Sequence, residues 1–218
     1  MEKLIFWDWS GTLADESALD KAVCLSMEEK IARTNHISLQ EAVDEFNRHL
    51  KKLENTWKWH DYAHHGEIFG IDWIQSQENH LDKLSLLPYV REILEYSHAK
   101  GFKNILASNA VRPVILLRVD HSGLLNLFDL VIASDDVKAL KSEGKHFAFA
   151  LEKLKGNPAI SFSIGDNPVQ DIRPAHRIGL KTIFCAYGKQ RTHYHSEHLT
   201  PNHNETAEAD FLIHSLEE

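Results

Sequence analysis

The chain has 218 residues and a mass of 25.0 kDa, enough for one large domain or for a core domain carrying a smaller inserted one. Hydrophobic residues make up 43% and charged residues 26%, ordinary globular values that exclude a disordered, collagenous or coiled-coil chain. The formal net charge of −8 disfavours a nucleic-acid partner, because phosphate backbones attract concentrated lysine and arginine.

The sequence also bears on the membrane, the compartment and the cysteines. Apolar runs are far shorter than the roughly 20 residues that a membrane span requires. The run Leu4-Ile5-Phe6-Trp7 is too short, and too soon followed by Asp8, for a signal peptide, so we expect a cytoplasmic protein with no membrane partner. Cys24 and Cys185 lie in apolar stretches without partners at metal-ligand spacing, and we expect buried, reduced thiols.

The first predicted element is a buried strand, which is followed by a long helical stretch. Lys3 to Trp7 is a short apolar run that Asp8 ends, and Ser10-Gly11-Thr12 supplies a tight turn. Residues 16–86 show only helical periodicity. The predicted helices run from Ser17 to Thr34, from a capping box at Ser38 and Glu41 to Leu53, and from Trp73 to Leu84.

From Pro88 onward, helices and strands alternate. Strands separated by helices imply parallel pairing through right-handed crossovers, so the sequence predicts an α/β fold with a doubly wound parallel sheet. Residues 1–15 and 87–218 would form this core, and residues 16–86 an inserted helical domain. Residues 189–207 are polar and histidine-rich, which is typical of a surface loop. The later strands are predicted at Asn104 to Ala107, Leu130 to Ala133, Ser161 to Ile164, Thr182 to Cys185 and Phe211 to Ile213.

Polar residues follow four of the predicted strands, at the edge where an open parallel sheet gathers its functional groups. They are Asp8 after the first strand, Ser108-Asn109 after the second, Asp135-Asp136 after the third and Gly165-Asp166-Asn167 after the fourth, with Asp171 and Lys141 nearby. One aspartate after one strand would be an ordinary turn residue. Polar residues after four successive strands indicate a functional edge. For Asp135 and Asp136, capping of the turn that follows them is a simpler role than catalysis.

Two carboxylates, a lysine and a hydroxyl at one cleft suit phosphoryl transfer. Mg2+ takes oxygen ligands and bridges carboxylates to a phosphate. A carboxylate can attack phosphorus to form an acyl-phosphate, which water then hydrolyses. The Lys141 ammonium and the Ser108 hydroxyl would hold the phosphoryl oxygens and balance their charge.

At this point the sequence resembles the haloacid dehalogenase superfamily over nearly its whole length. The family's D-x-D-G-T motif resembles Asp8-Trp9-Ser10-Gly11-Thr12, and its strand ending in Ser or Thr is similar to Ile105-Leu106-Ala107-Ser108. Its lysine at the head of a helix, with an aromatic six positions on, resembles Lys141 and Phe147. Its G-D-x4-D motif is similar to Gly165-Asp166 followed by Asp171.

The resemblance implies a Mg2+-dependent phosphatase acting on a phosphorylated small molecule. In that family pattern Asp8 is the nucleophile, and Lys141, rather than Lys138 or Lys145, is the functional lysine. The Asp8 and Asp166 carboxylates and the Ser10 backbone carbonyl would bind the metal, supported by Asp171. Catalysis would then use Asp8, Lys141 and Ser108, and the candidates for substrate contact are Ser10, Asn109, Trp59 and His60.

Ser10 departs from the family's phosphatases, which carry an aspartate there as the acid and base. A slow phosphatase could use a histidine of the helical insert instead, namely His60, His64 or His65. A P-type ATPase-like branch, a dehalogenase and a phosphonatase remain alternatives, as does a catalytically weak protein that binds a phosphorylated metabolite or partner. Gly165-Asp166 weakens the dehalogenase alternative, and a phosphonatase needs a cap lysine, whereas Lys51, Lys52 and Lys58 resemble solvated charges.

The helical insert is similar to the family's cap, which closes over the active site and excludes water. Its aromatic stretch from Trp57 to His65 is the candidate substrate-facing patch, although Trp57 and Trp59 could equally pack the insert's own core. A second histidine cluster lies in the late loop at His193, His195, His198 and His203. A polar surface loop explains that cluster without a transition metal.

Overall fold

The computed structural model describes residues 1–187 and 209–218, which form eight strands and nine α-helices. The strands are β1 (Lys3–Trp7), β2 (Ala14–Asp15), β3 (Ser85–Leu86), β4 (Phe102–Ala107), β5 (Leu130–Ile132), β6 (Phe162–Gly165), β7 (Lys181–Cys185) and β8 (Phe211–Ile213). The helices are α1 (Ser17–Asn35), α2 (Leu39–Leu53), α3 (Tyr62–Phe69), α4 (Trp73–Glu78), α5 (Val90–Ala99), α6 (Arg112–His121), α7 (Ser134–Val137), α8 (Lys145–Leu154) and α9 (Arg173–Arg177).

Six of the strands form one parallel sheet in the spatial order β5-β4-β1-β6-β7-β8. The chain therefore winds outward from β1 to β4 and β5 on one side, and returns to build β6, β7 and β8 on the other. The switch between the two directions lies at β1 and β6, where a doubly wound sheet opens the crevice that holds its ligand. The predicted α/β fold class is confirmed.

Alternating side chains of β1 anchor the sheet to the layers above and below it. Ile5 and Trp7 join one buried cluster, and Leu4 and Phe6 join the cluster on the opposite face. A strand buried on both faces needs apolar residues at every position, which explains why this run has no polar alternation. The indole N–H of Trp7 is satisfied by the side-chain oxygen of Asn104, at 2.9 Å.

Helices α1 to α4 form a segment between β2 and β3 with a hydrophobic cluster of its own. Ser38 caps α2 and exchanges hydrogen bonds with Glu41, the predicted capping box. Ala42, Phe46 and Leu50 recur every four residues along α2 and pack against α1. The segment is therefore held together by its own core, beside the sheet.

The predicted bounds were wrong in two places within this segment. The helix expected from Trp73 to Leu84 ends at Glu78, where the Asn79 N–H returns to the carbonyls of Gln75 and Gln77 and closes the last turn. A separate turn of 3-10 helix follows at Leu81–Lys83. Residues 16–86 are also not wholly helical, because Ser85–Leu86 pairs antiparallel with Ala14–Asp15 as a ribbon. The other strands differ from prediction by a residue or two at their ends.

Cys24 and Cys185 are buried and free, as predicted. Within residues 1–187 and 209–218, no helix combines the length and apolar character needed to cross a membrane. The predicted loop 189–207, with His193, His195, His198 and His203, lies outside the described residues.

Candidate active site

The ends of three neighbouring strands bring the predicted polar residues together. Asp8 follows β1, Ser108 follows β4, and Asp166 follows Gly165 at the end of β6. The Asp8 N–H donates to the carbonyl of Ile164, and the Ser108 N–H to that of Ile132, each at 3.0 Å. These bonds continue the ladders beyond the strands, so both residues are fixed at the sheet's carboxyl edge.

Asp8, Asp166 and Asp171 form an acidic cluster in which each offers a carboxylate oxygen within 4.8 Å of the others. Two glycines allow this approach. A Cβ on Gly11, whose φ is +88°, would lie 2.0 Å from Asp166 Oδ2, and one on Gly165 would lie 2.3 Å from Asp171 Cγ. The glycines of the two motifs therefore leave the space that the carboxylates occupy.

Lys141 lies at the centre of this cluster, with only 3% of its surface exposed. Its ammonium donates to Asp8 Oδ1 and to Asp171 Oδ1. Burial by itself would lower the pKa of Lys141, but the Asp171 and Asp8 carboxylates hold it above the usual lysine value. The ammonium is therefore charged at neutral pH.

A pair of side-chain amides holds the Lys141 backbone against the end of β4. Asn109 Oδ1 accepts from the Lys141 N–H at 2.8 Å, and Asn109 Nδ2 donates to Gln170 Oε1 at 3.2 Å. Gln170 Oε1 also accepts from the Ser142 N–H, at 2.9 Å. Asn109, predicted from sequence as a substrate contact, thus lines the cleft while its amide orients the lysine loop.

Lys138 and Lys145, the competing lysines, lie elsewhere. The Lys138 ammonium stands 4.6 Å from the centre of the Trp57 ring, and Lys145 pairs with Glu143 at the surface. Lys141 is the one of the three that reaches Asp8.

Two hydroxyls complete the surroundings of Asp8. Thr12 Oγ1 donates to Asp8 Oδ2 at 3.0 Å, which fixes the carboxylate plane. Ser108 Oγ accepts from the Ala110 N–H at 3.1 Å, which fixes the position of its oxygen. Asp135 and Asp136 act as turn residues, since Asp136 accepts from the Ala133 N–H and Asp135 from the Arg112 N–H.

The donor set fits a hard divalent cation. Burial raises the pKa of Asp171, the Asp8 carboxylate adds to the rise, and Lys141 opposes it. When all three carboxyls are ionised, Asp8, Asp166 and Asp171 carry more negative charge than the one ammonium of Lys141 can balance. A cation with oxygen ligands, such as Mg2+, would offset that charge.

The cluster opens into a cleft, part of it open to solvent, between the sheet edge and the helical segment. Ser10 lines it from the turn after β1, while Trp59 and His60 line it from the segment. Trp57 lies on a different surface, against Lys138. The structure therefore brings the predicted site residues to one cavity: Asp8, Ser10, Trp59, His60, Ser108, Asn109, Lys141, Asp166 and Asp171.

The three candidate histidines differ in position. His64 lines a separate surface hollow. His65 lines the cleft but is 1% exposed, with one ring nitrogen 3.0 Å from His49 Nε2 and the other 3.0 Å from the Trp59 carbonyl. Burial lowers the pKa of His65 to about 4, so the ring is neutral and held in place. His60 is the one that lines the cleft at the segment's surface.

The cleft also contains a second positively charged side chain, which was not predicted from the sequence. Arg118 of α6 is buried and pairs with Glu16 and with Asp20 of α1, each at 2.8 Å. The only sequence signal was an arginine within the apolar stretch from Val114 to Val119. Its partners lie about a hundred positions away, where no local pattern could indicate them.

The chain belongs to the haloacid dehalogenase-like hydrolase family, whose model matches residues 2–179. The hydrolase expected from the resemblance is therefore confirmed. Solved structures similar to the chain include haloacid dehalogenases, at 22% identity or less, a level that shows the fold alone.

Named relatives are phosphatases. A HAD phosphatase structure from Thermococcus onnurineus superposes with a TM-score of 0.83 at 26% identity, over 99% of this chain and 95% of that one. Pyrophosphatase PpaX from Oceanobacillus iheyensis is 24% identical over 88% of this chain and 87% of its own length. Ribulose-1,5-bisphosphate 5-phosphatase from Halopiger xanaduensis is 27% identical over 48% of this chain, which spans only 44% of that relative.

Proposed function

We propose that the protein is a Mg2+-dependent phosphatase of a phosphorylated small molecule, and that it acts through an aspartyl-phosphate on Asp8. The observation that carries the proposal is the buried Lys141 ammonium, which binds Asp8 and Asp171 at once beside Asp166. This arrangement supports the proposal, because it brings a carboxylate, a positive charge and further carboxylate oxygens to one point. We also propose that the protein works in the cytoplasm and has no nucleic-acid or membrane partner.

Asp8, Asp166 and the Ser10 backbone carbonyl would hold the metal, with Asp171 supporting the set. Bound there, Mg2+ supplies positive charge that draws the phosphoryl oxygens to the site and reduces their repulsion of the nucleophile. Gly11 and Gly165 keep the space around these carboxylates open, since a side chain at either would collide with Asp166 or Asp171.

In the first step, a carboxylate oxygen of Asp8 attacks phosphorus. The bond between phosphorus and the ester oxygen breaks, and the leaving alcohol takes the bonding pair and a proton. Thr12 and Lys141 hold the two Asp8 oxygens in a fixed plane. Ser108, whose oxygen accepts from Ala110, donates its proton to a phosphoryl oxygen.

In the second step, water attacks phosphorus, inorganic phosphate leaves and the Asp8 carboxylate is regenerated. This water must lose a proton, just as the leaving alcohol had to gain one. Ser10 stands where the family's phosphatases carry an aspartate for this task and cannot perform it at neutral pH. We assign the transfer to His60, which lines the same cleft, whereas His65 is buried with both nitrogens engaged.

Two alternatives have less support. Attack on carbon, as in a dehalogenase, would use Asp8 as the nucleophile but would give no role to Asp166, which completes the acidic cluster beside it. A phosphonatase needs a lysine from the helical segment, and within the described residues the cleft receives none from α1 to α4. The absence of an aspartate at position 10 would favour a further alternative, a weak enzyme that binds a phosphorylated ligand.

Release of inorganic phosphate from para-nitrophenyl phosphate and a panel of phosphorylated metabolites tests the proposal. We expect release with Mg2+ and none with EDTA, and we expect trapping at low pH to yield one phosphate on Asp8. An Asp44→Asn variant is a matched control, because Asp44 is exposed on α2 and outside the cleft. Binding of phosphorylated metabolites without any release would instead establish the weak binding protein.

A further inference from the structure

The helical segment and α6 line part of the cleft with residues whose chemistry differs from that of the acidic cluster around Asp8. Glu16, Asp20 and Arg118 line it together with aromatic and aliphatic side chains of the helical segment. Among them are Phe46, Leu50 and Trp59, which belong to or pack against the segment's core. A substrate with its phosphate at Asp8 would extend its leaving group toward this part of the cleft.

Arg118 is not available to bind an anionic group of the substrate. Its Nη1 donates to Glu16 Oε1 and its Nη2 to Asp20 Oδ1, each at 2.8 Å. Its Nε and Nη2 also donate to Gln77 Oε1, at 3.1 and 2.9 Å. Arg118 is 3% exposed, and the protein itself uses the guanidinium fork that would otherwise clamp a carboxylate or phosphate.

The charges along the cleft lead to the same conclusion. Of the described residues lining it, Arg118 and Lys141 carry the lysine and arginine charges, and each is already paired with two carboxylates. His65 is neutral at physiological pH, because burial lowers its pKa to about 4. A second phosphate or carboxylate on the substrate would therefore meet two carboxylates that share a single guanidinium, and no unpaired lysine or arginine of the described cleft.

We infer that the leaving group is a small alcohol bearing hydroxyl or amino groups and no second anionic group. Its donors would face the oxygens of Glu16 and Asp20, and its carbon atoms would contact Leu50 and Trp59. The inference rests on the proposed phosphatase function and specifies its substrate class. It sets the chain apart from relatives named for a bisphosphate or for pyrophosphate, whose substrates carry two phosphates.

Three esters of nearly equal size test this directly: 2-aminoethyl phosphate, 2-hydroxyethyl phosphate and 2-phosphoglycolate. They differ only in whether the far end is cationic, neutral or anionic. For the wild-type enzyme with Mg2+, we expect kcat/KM for the first two to exceed that for 2-phosphoglycolate at least about tenfold, because like charges at a desolvated site repel strongly. Para-nitrophenyl phosphate, measured in parallel, reports whether the phosphatase chemistry works.

An Asp20→Asn variant should reduce the preference for 2-aminoethyl phosphate over 2-phosphoglycolate. It leaves Arg118 with a single carboxylate and removes one negative charge from this part of the cleft. We expect the ratio of kcat/KM between 2-aminoethyl phosphate and 2-phosphoglycolate to fall severalfold, mainly through KM. Asp44→Asn, on the exposed face of α2, should leave the ratio unchanged. Each ratio is measured within one variant, so partial unfolding of Asp20→Asn cancels.

A wild-type enzyme that hydrolyses para-nitrophenyl phosphate but turns over 2-phosphoglycolate as well as the other two would overturn the inference and leave the phosphatase proposal standing. An Asp20→Asn ratio equal to that of wild type would also overturn it. No turnover of any of the four esters would refute both proposals together.

Discussion

Replacing Ser10 with aspartate should increase phosphatase turnover. The turn around position 10 is fixed by backbone hydrogen bonds from Gly11 and Leu13, so the new side chain takes the half-buried place of Ser10 in the cleft. A carboxyl there can protonate the leaving alcohol and later accept a proton from the attacking water. Such general acid–base catalysis typically contributes about 10² to 10⁴ in rate.

The structure places the expected gain near the lower end of that range, at about 10², or roughly 2.7 kcal/mol of barrier. The new carboxyl would lie near Asp8, Asp166 and Asp171, and neighbouring negative charges raise the pKa of a carboxyl. A raised pKa increases the fraction of this carboxyl in its protonated form, which protonates the leaving alcohol. It decreases the fraction in the ionised form, which activates water. The gain in rate should therefore be larger for an ester whose leaving group needs a proton.

The assay compares kcat for an alkyl phosphate, whose leaving alcohol needs a proton, with that for para-nitrophenyl phosphate, whose leaving group is stable as an anion. We expect the alkyl ester to gain more. Ser10→Asn is the matched control, since asparagine has the same shape as aspartate but no ionisable group. An equal rate gain with Ser10→Asn would contradict the acid–base role of the new carboxyl. So would a Ser10→Asp variant that accelerates neither ester.

Three further predictions concern the nucleophile, the buried ion pairs and the effect of pH. Asp8→Asn should lower phosphate release at least about 10³-fold while the circular dichroism spectrum persists, and a near-normal rate would remove Asp8 from its role. Arg118→Met leaves Glu16 and Asp20 buried without their cation, so it should cost about 3–5 kcal/mol of unfolding free energy and lower Tm by roughly 6–20 °C; a Tm within about 2 °C of wild type would contradict this. Burial raises the pKa of Glu28 from 4.5 to about 7, so the folded state holds a proton that the unfolded state has lost, and this group's contribution makes stability fall as pH rises from about 4.5 to about 7. Glu28→Gln should therefore raise Tm relative to wild type more at pH 8 than at pH 5, and an equal difference at both pH values would exclude this linkage.

The sequence predicted the sheet edge well because its signals are local. Asp8, Ser108 and Asp166 each follow an apolar run directly, and parallel strands end at one edge, so their proximity follows from the fold class. The distinction between Lys141 and Lys138 needed the resemblance to a family, because both lie on the same stretch after β5. The structure supplies the geometric reason, since Lys138 turns toward Trp57.

The remaining features depend on contacts between distant parts of the chain. Arg118 meets Glu16 and Asp20 across about a hundred residues, and nothing in either stretch specifies the other. The ribbon of β2 and β3 consists of two residues on each side, too few for any alternation of apolar and polar side chains to appear. The two strands of the ribbon can pair only because the helical segment between them ends close to where it begins.

That return has a consequence for how the protein could be altered. The Leu87 N–H donates to the Leu13 carbonyl at 2.9 Å, so the two ends of the intervening stretch lie one hydrogen bond apart. To the six-stranded sheet, the whole stretch is equivalent to a single surface loop, and the entropy of closing a loop grows only slowly with its length. A tight turn in place of residues 16–84, or a segment of another sequence with its ends equally close, could be joined at the ribbon if Arg118 were also replaced, because its partners Glu16, Asp20 and Gln77 all lie in that stretch.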